Sequence, residues 1–107
     1  MITRIALHVI DPENRDRAID LLNRNTERMK SAKGFVSRAV YYSTTDPNTS
    51  YCVSTFQSHQ DWDDYFKLPN RPKLTMEGPE KRTYEDTPDG RFLLFTRCVI
   101  DTFEDKT

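Results

Sequence analysis

Cys52-Val53-Ser54-Thr55-Phe56-Gln57-Ser58-His59-Gln60-Asp61-Trp62-Asp63-Asp64-Tyr65-Phe66 is the stretch that decides how this chain folds. Its opening residues are β-branched, aromatic or small, and from Tyr51 to Phe56 they read as a strand. Ser58, followed three residues later by Asp61, forms a capping box with Asp in place of Glu and starts a helix near His59. Spacing of three and four residues then sets Trp62, Tyr65 and Phe66 on one side of that helix. The aspartates Asp61, Asp63 and Asp64 take other angles and suit the positive helix N-terminus rather than acid/base chemistry. Leu68 precedes Pro69 and is biased away from helical angles, so the helix should stop there. A face built from the chain's one tryptophan and two further rings admits two readings. It is ordinary core, or it is the wall of a cavity for a flat organic molecule.

The segments on either side supply the partners for this unit. Ile2 to Ile10 alternates, with Ile5, Leu7 and Val9 on one face and Arg4, Ala6 and His8 on the other, the period of a half-buried strand. Asp11-Pro12-Glu13 is a helix start, in which Asp11 accepts from free N–H groups and Pro12 suits the first helical position. An apolar stripe of Ala18, Leu22 and Met29, widened by Ile19 and Leu21, carries that helix to about Ser31, and Gly34 can close it. Phe35 to Tyr42 reads as a second strand, joined through the turn chemistry of residues 44–50 to the strand at Tyr51. Pro72 to Met76 is expected to add a turn closed by Gly78, and residues 77–90, charged and rich in Pro and Gly, to form a loop. Phe92 to Ile100 is the last strand and 101–107 a polar tail. The order is β-α-β-β-α-β, the ferredoxin-like α+β arrangement of one antiparallel sheet with both helices on one face. Ile5, Leu7 and Val9 are expected to face the helices. The opposite face is also partly apolar and needs cover, most simply from a second copy related by a twofold axis, so the chain is expected to be a homodimer.

Composition limits the function classes. At 107 residues the chain has the size of one domain, here 1–107 with a core of about 2–100. Twelve aromatic residues (six Phe, five Tyr, one Trp) argue for a folded protein despite 31% charged residues. A net charge of −1 from interspersed charges offers no field for nucleic acid or an anionic membrane. No apolar run approaches the roughly 18 residues of a membrane span, which points to a cytoplasmic protein. Cys52 and Cys98 lie in strands without metal-type spacing and read as buried free thiols. The three glycines are far apart in turns and make no phosphate loop, and two histidines fifty-one residues apart with these cysteines make no metal site.

Residues 51–69, a strand followed by Ser58-x-x-x-Trp62-x-x-Tyr65-Phe66 and a helix break, resemble the antibiotic biosynthesis monooxygenase family of dimeric α/β barrels, and the likeness runs over about residues 2–100. The resemblance implies a pocket between the sheet and the helices of each subunit, with the second helix lending an aromatic wall. It also implies an oxidoreductase that acts on an aromatic or polyketide-type molecule without metal or flavin, hence no cofactor. The haem-degrading branch of the family fits less well. The positions corresponding to its tryptophan and haem-ligating histidine fall near Tyr65 and Thr75, and the first strand lacks its asparagine. Iron in haem needs an axial ligand, and no histidine follows His59.

A cofactor-independent oxygenase must deprotonate an electron-rich phenol and hold its anion beside oxygen while excluding water. On that reading His8 and Trp62 are the candidate catalytic residues, and Arg38, Tyr65, Phe66 and Arg97 the candidate substrate-binding residues, with Tyr41 or Tyr42 as further polar strand positions. Each has a plainer reading. Trp62 and Phe66 pack cores, Tyr65 places its hydroxyl at a core edge, His8 is an interface histidine, and the arginines are surface groups. His59, at an exposed helix start, is not a catalytic candidate. Two other functions use the same fold: a ligand-binding or interaction module, and an isomerase or lactone-processing enzyme with His8 as proton carrier. The small-molecule readings require a cavity of roughly 300 Å³ or more between the sheet and the second helix.

Overall fold

Alternation and capping place the regular elements much as the sequence predicts. The computed structural model describes residues 1–105. Strand β1 is Ile2–Ile10, helix α1 Arg15–Lys30, β2 Phe35–Tyr42, β3 Thr49–Phe56, α2 His59–Phe66, β4 Leu74–Glu77, β5 Arg82–Thr87 and β6 Gly90–Glu104. Asp11 caps as expected, but over a 3-10 turn at Pro12–Asn14 that precedes α1. Ser58 accepts from the Asp61 N–H, so the expected N-cap forms and α2 begins at His59, while the Asp61 carboxylate accepts from the Ser58 hydroxyl. All strands lie in one antiparallel sheet of order β2-β3-β1-β6-β5-β4. The first four in that order are the ferredoxin-like set, and β5 and β4 extend it beyond β6.

That extension corrects the expected turn at Pro72–Met76 and loop at 77–90. Leu74 pairs with Glu85 and Met76 with Thr83, and β5 in turn pairs with β6. The inward positions of β5 are Thr83 and Glu85, 1% and 7% exposed, so no apolar alternation marks the strand. Glu85 is tolerated there because the Arg24 guanidinium of α1 reaches it with three N–O contacts of 3.2–3.3 Å. Likewise β6 runs into the expected polar tail, where Phe103 pairs with Thr3 and Glu104 with Ile2.

The two faces of β1 are the reverse of the expectation. Ile2, Ala6 and Ile10 are the buried positions, and Arg4 and His8 share their side beneath the helices. Ala6 clusters with Ala18, Leu21, Leu22, Cys52 and Phe95. A second cluster of Ile2, Met29, Phe56, Trp62 and Tyr65 lies under α2. Leu7 instead belongs to the open face, where Tyr41, Tyr51, Leu7 and Val99 fall in register across four strands. Tyr41, Tyr51 and Val99 are each about half exposed in the single chain.

Candidate functional site

Where the two core clusters meet, packing is incomplete and a cavity of about 110 Å³ remains between the sheet and the helices. This is about a third of the expected volume, and close to the roughly 150 Å³ that accommodates benzene. It is bordered by Tyr65 and Phe66 of α2, Phe95 of β6, and Leu22 and Met29 of α1. The polar part comes from Arg4 and His8 of β1, Arg38 of β2, and Arg71 from the segment after α2. No Asp or Glu lines it.

Each cation is held by neutral partners. Arg38 donates from Nε to Thr26 Oγ1 at 2.7 Å and from Nη1 to Ser54 Oγ at 2.9 Å, spanning α1 and β3. Arg4 lies over Phe66, 4.9 Å from guanidinium carbon to ring centroid, and Arg71 lies over the same ring at 4.7 Å. Burial lowers the pKa of both arginines, and each has another arginine adding to the effect, Arg71 for Arg4 and Arg28 for Arg71. His8 stacks against Phe95 at 4.3 Å and its Nδ1 is 3.8 Å from Cys52 Sγ. Burial, reinforced by Arg38 and Arg4, lowers the His8 pKa to about 4, so near neutrality the imidazole is uncharged and carries a lone pair on one nitrogen. Burial raises the Cys52 and Cys98 pKa values, which keeps both as thiols.

Of the residues singled out from sequence, the fold thus brings together His8, Arg38, Tyr65 and Phe66. Trp62 sits outside the cavity, 4% exposed, with its indole against Phe56 at 4.4 Å and stacked on Phe66 at 5.6 Å. It backs the wall rather than facing the hollow. Arg97 lies on the opposite face of the sheet, more than half exposed and paired with Glu80 at 3.1 Å. Sequence reasoning noted Arg4 only as a polar residue of the first strand beside His8, and missed Arg71. The strand period already placed Arg4 on the His8 face, whereas Arg71 carried no signal. Thr75, the position of interest for haem ligation, is on β4 and donates to Asp86 at 3.0 Å. Among the described residues no three His, Cys, Asp or Glu side chains gather in metal-binding proximity.

The sequence model of the antibiotic biosynthesis monooxygenases matches residues 1–71, from β1 through the end of the aromatic helix. The chain belongs to the antibiotic biosynthesis monooxygenase family. The family match stops before the β4-β5 hairpin, but solved structures extend the fold to the rest of the chain. SnoaB from Streptomyces nogalater, a cofactor-independent oxygenase solved as a mutant, is similar at TM-score 0.69 and 11% identity, over 99% of this chain and 93% of that one. A conserved protein from Methanosarcina mazei is similar at TM-score 0.71 and 15% identity, over 98% and 92%. Rv0793 from Mycobacterium tuberculosis is similar at TM-score 0.70 and 14% identity, over 99% and 95%. At such identities the likeness is one of fold. A comparison with curated proteins finds no match. No helix among the described residues is long and apolar enough to cross a membrane.

Proposed function

We propose that the protein is a cofactor-independent monooxygenase of a small phenolic aromatic molecule. The observation that carries this reading is the cavity itself: aromatic walls, a neutral buried histidine, and three arginines with no carboxylate among the lining residues. A phenol entering it would lie against Phe66 and Phe95 and give its proton to the His8 lone pair. His8 alone is a weak base. The positive field of Arg4 and Arg38 that disfavours imidazolium also favours phenolate, so transfer is driven by stabilising the anion. The electron-rich anion then reduces oxygen. For a simple phenol, ArOH and O₂ give a quinone and water, with one oxygen atom entering the ring and all four electrons coming from the substrate. Trp62 acts as a positioning residue that keeps Phe66 in place.

The cavity volume favours one ring within the chain, so the polyketide-sized substrate of the sequence reading would have to extend outside it. The working assembly in this proposal is a homodimer packed through the row Tyr41, Tyr51, Leu7 and Val99, whose apolar area is uncovered in one chain.

Oxygen uptake and quinone absorbance with 2,6-dimethylphenol, a one-ring phenol with a free para position, measured in the presence of a chelator, test the reading. One O₂ consumed per quinone formed, with at least a tenfold loss in His8→Ala and in Arg38→Met, supports it. Binding without turnover assigns a ligand-binding module instead, and His8-dependent conversion of a substrate without oxygen assigns proton-transfer chemistry.

A further inference from the structure

Arg71 is a partition between two spaces. It lines the cavity beneath the helices and also an outer groove of about 450 Å³ between the surface of α1 and the segment that follows α2. A groove of that size is in the range that takes a small organic molecule.

Four charged side chains border the groove: Arg24, Glu27, Arg28 and Arg71. Two of them are answered. Arg24 is held by Asp20 at 2.7 Å and by Glu85 at 3.2 Å, and Glu27 is bonded to Lys30 at 3.3 Å. Arg28 and Arg71 have no carboxylate partner among the described residues. Arg28 donates only to Asn25 Oδ1, at 3.3 Å, and Arg71 only to the Phe66 carbonyl oxygen, at 3.1 Å. Both guanidiniums lie over the Tyr65 ring, at 5.4 and 6.0 Å from its centroid. Arg28 Nε and Nη2 and Arg71 Nε are buried with no acceptor among the described residues. Two cations gathered on one ring repel each other, and neutral contacts do not cancel that repulsion. An oxyanion does, because the planar fork of a guanidinium matches two oxygens of one acid group.

We propose that Arg28 and Arg71 receive an acid group carried by the aromatic substrate, so that the ring occupies the cavity and the oxyanion sits at the Arg71 partition. The substrate class is then an aromatic acid, carboxylic or phosphoric, rather than a neutral polyketide. The ring placement rests on the proposed function above, and the acid receptor rests on Arg28 and Arg71.

The test is equilibrium binding by calorimetry of 2,5-dihydroxybenzoate, its amide 2,5-dihydroxybenzamide, and phenyl phosphate. The benzoate is expected to bind at least tenfold more tightly than the amide, with an affinity that falls as salt is raised. Arg28→Gln and Arg71→Gln should each weaken the benzoate about tenfold and the amide less than twofold, with thermal unfolding showing that the variants remain folded. Tighter binding of phenyl phosphate than of benzoate, lost in the same variants, assigns the phosphoric class and supports the receptor. Equal affinity for acid and amide, no binding of any probe at millimolar concentration, or an acid preference that survives both Gln variants overturns the proposal. The wild-type comparison stands even where a variant fails to fold. Turnover of the neutral dimethylphenol without an acid preference removes only this inference, and an acid preference without oxygen uptake removes only the oxygenase reading.

Discussion

The indole Nε1 of Trp62 donates a hydrogen bond to the carbonyl oxygen of Ile2 at 3.0 Å, joining the aromatic helix to the first residue of β1 across sixty positions of sequence. The same ring touches Phe56, Tyr65 and Phe66, so one side chain holds α2 both by a directed bond and by apolar area. Trp62→Phe retains most of the area and removes the donor. It should cost about 1–2 kcal/mol of stability. Trp62→Ala also opens a cavity and should cost about 3–5 kcal/mol. Urea unfolding monitored by circular dichroism separates the two, and an unchanged stability in Trp62→Phe would mean the bond contributes nothing.

His8 makes stability depend on pH. Its folded pKa, about 4, lies below the ordinary value of 6.5 because burial and two arginines disfavour the imidazolium. Between those values the unfolded chain binds the proton and the folded chain does not, so stability is full above pH 6.5 and falls as the pH drops toward 4. The full shift corresponds to about 3 kcal/mol. Urea midpoints for the wild type should decline from pH 6.5 to 5, and His8→Gln should flatten that part of the profile. A parallel decline in both proteins would remove His8 as the cause.

Gly34 does not close α1, which ends at the C-cap Ser31; it takes φ +81° in the turn that leads into β2, and a Cβ built there would collide with the Asp61 side chain at the start of α2. Gly34→Ala therefore suffers twice, from left-handed strain and from steric conflict, and should lose about 2 kcal/mol or more. In Gly34→Ala/Asp61→Gly, which also removes the Asp61 Cβ lying 2.7 Å from the built atom, the collision is relieved while the backbone strain stays. The double variant should be more stable than the sum of the single losses implies, a non-additivity that a double-mutant cycle of unfolding energies would read.

Leu7 lies midway along the row of open-face residues and is not part of the buried core in the single chain. Light scattering of the wild type at micromolar concentration should report about twice the chain mass. Leu7→Lys should report the monomer mass with an unchanged circular dichroism spectrum. A monomeric wild type would sink the proposed assembly.

Much of the local structure is legible along the chain because its causes are local. Asp11, Ser58, Pro69 and Gly34 act on backbone within a few residues, and composition or alternation marks β1, β2, β3 and β6 as strands. The β4-β5 hairpin is not legible in this way. Its inward positions include Glu85, whose burial is compensated by Arg24, sixty-one residues earlier in the chain. The site divides similarly. His8, Arg38, Tyr65 and Phe66 are recognisable by residue type and position on an element, whereas Arg71 enters only because the chain after α2 turns back over Phe66.

By itself, then, the sequence determined the kinds and order of the main elements, the caps that begin its helices, and a pool of rings, arginines and one strand histidine, since these follow from forces acting over one or two turns of chain. Tertiary structure alone decided which side of β1 lies beneath the helices, that Trp62 supports the wall while Phe66 forms it, and that Arg4, Arg28 and Arg71, of distant origin, gather on rings with so little carboxylate nearby. Periodicity specifies two faces without ranking them. The ranking comes from which residues of β1 join the two clusters beneath the helices, Ala6 and Ile10 in one and Ile2 in the other.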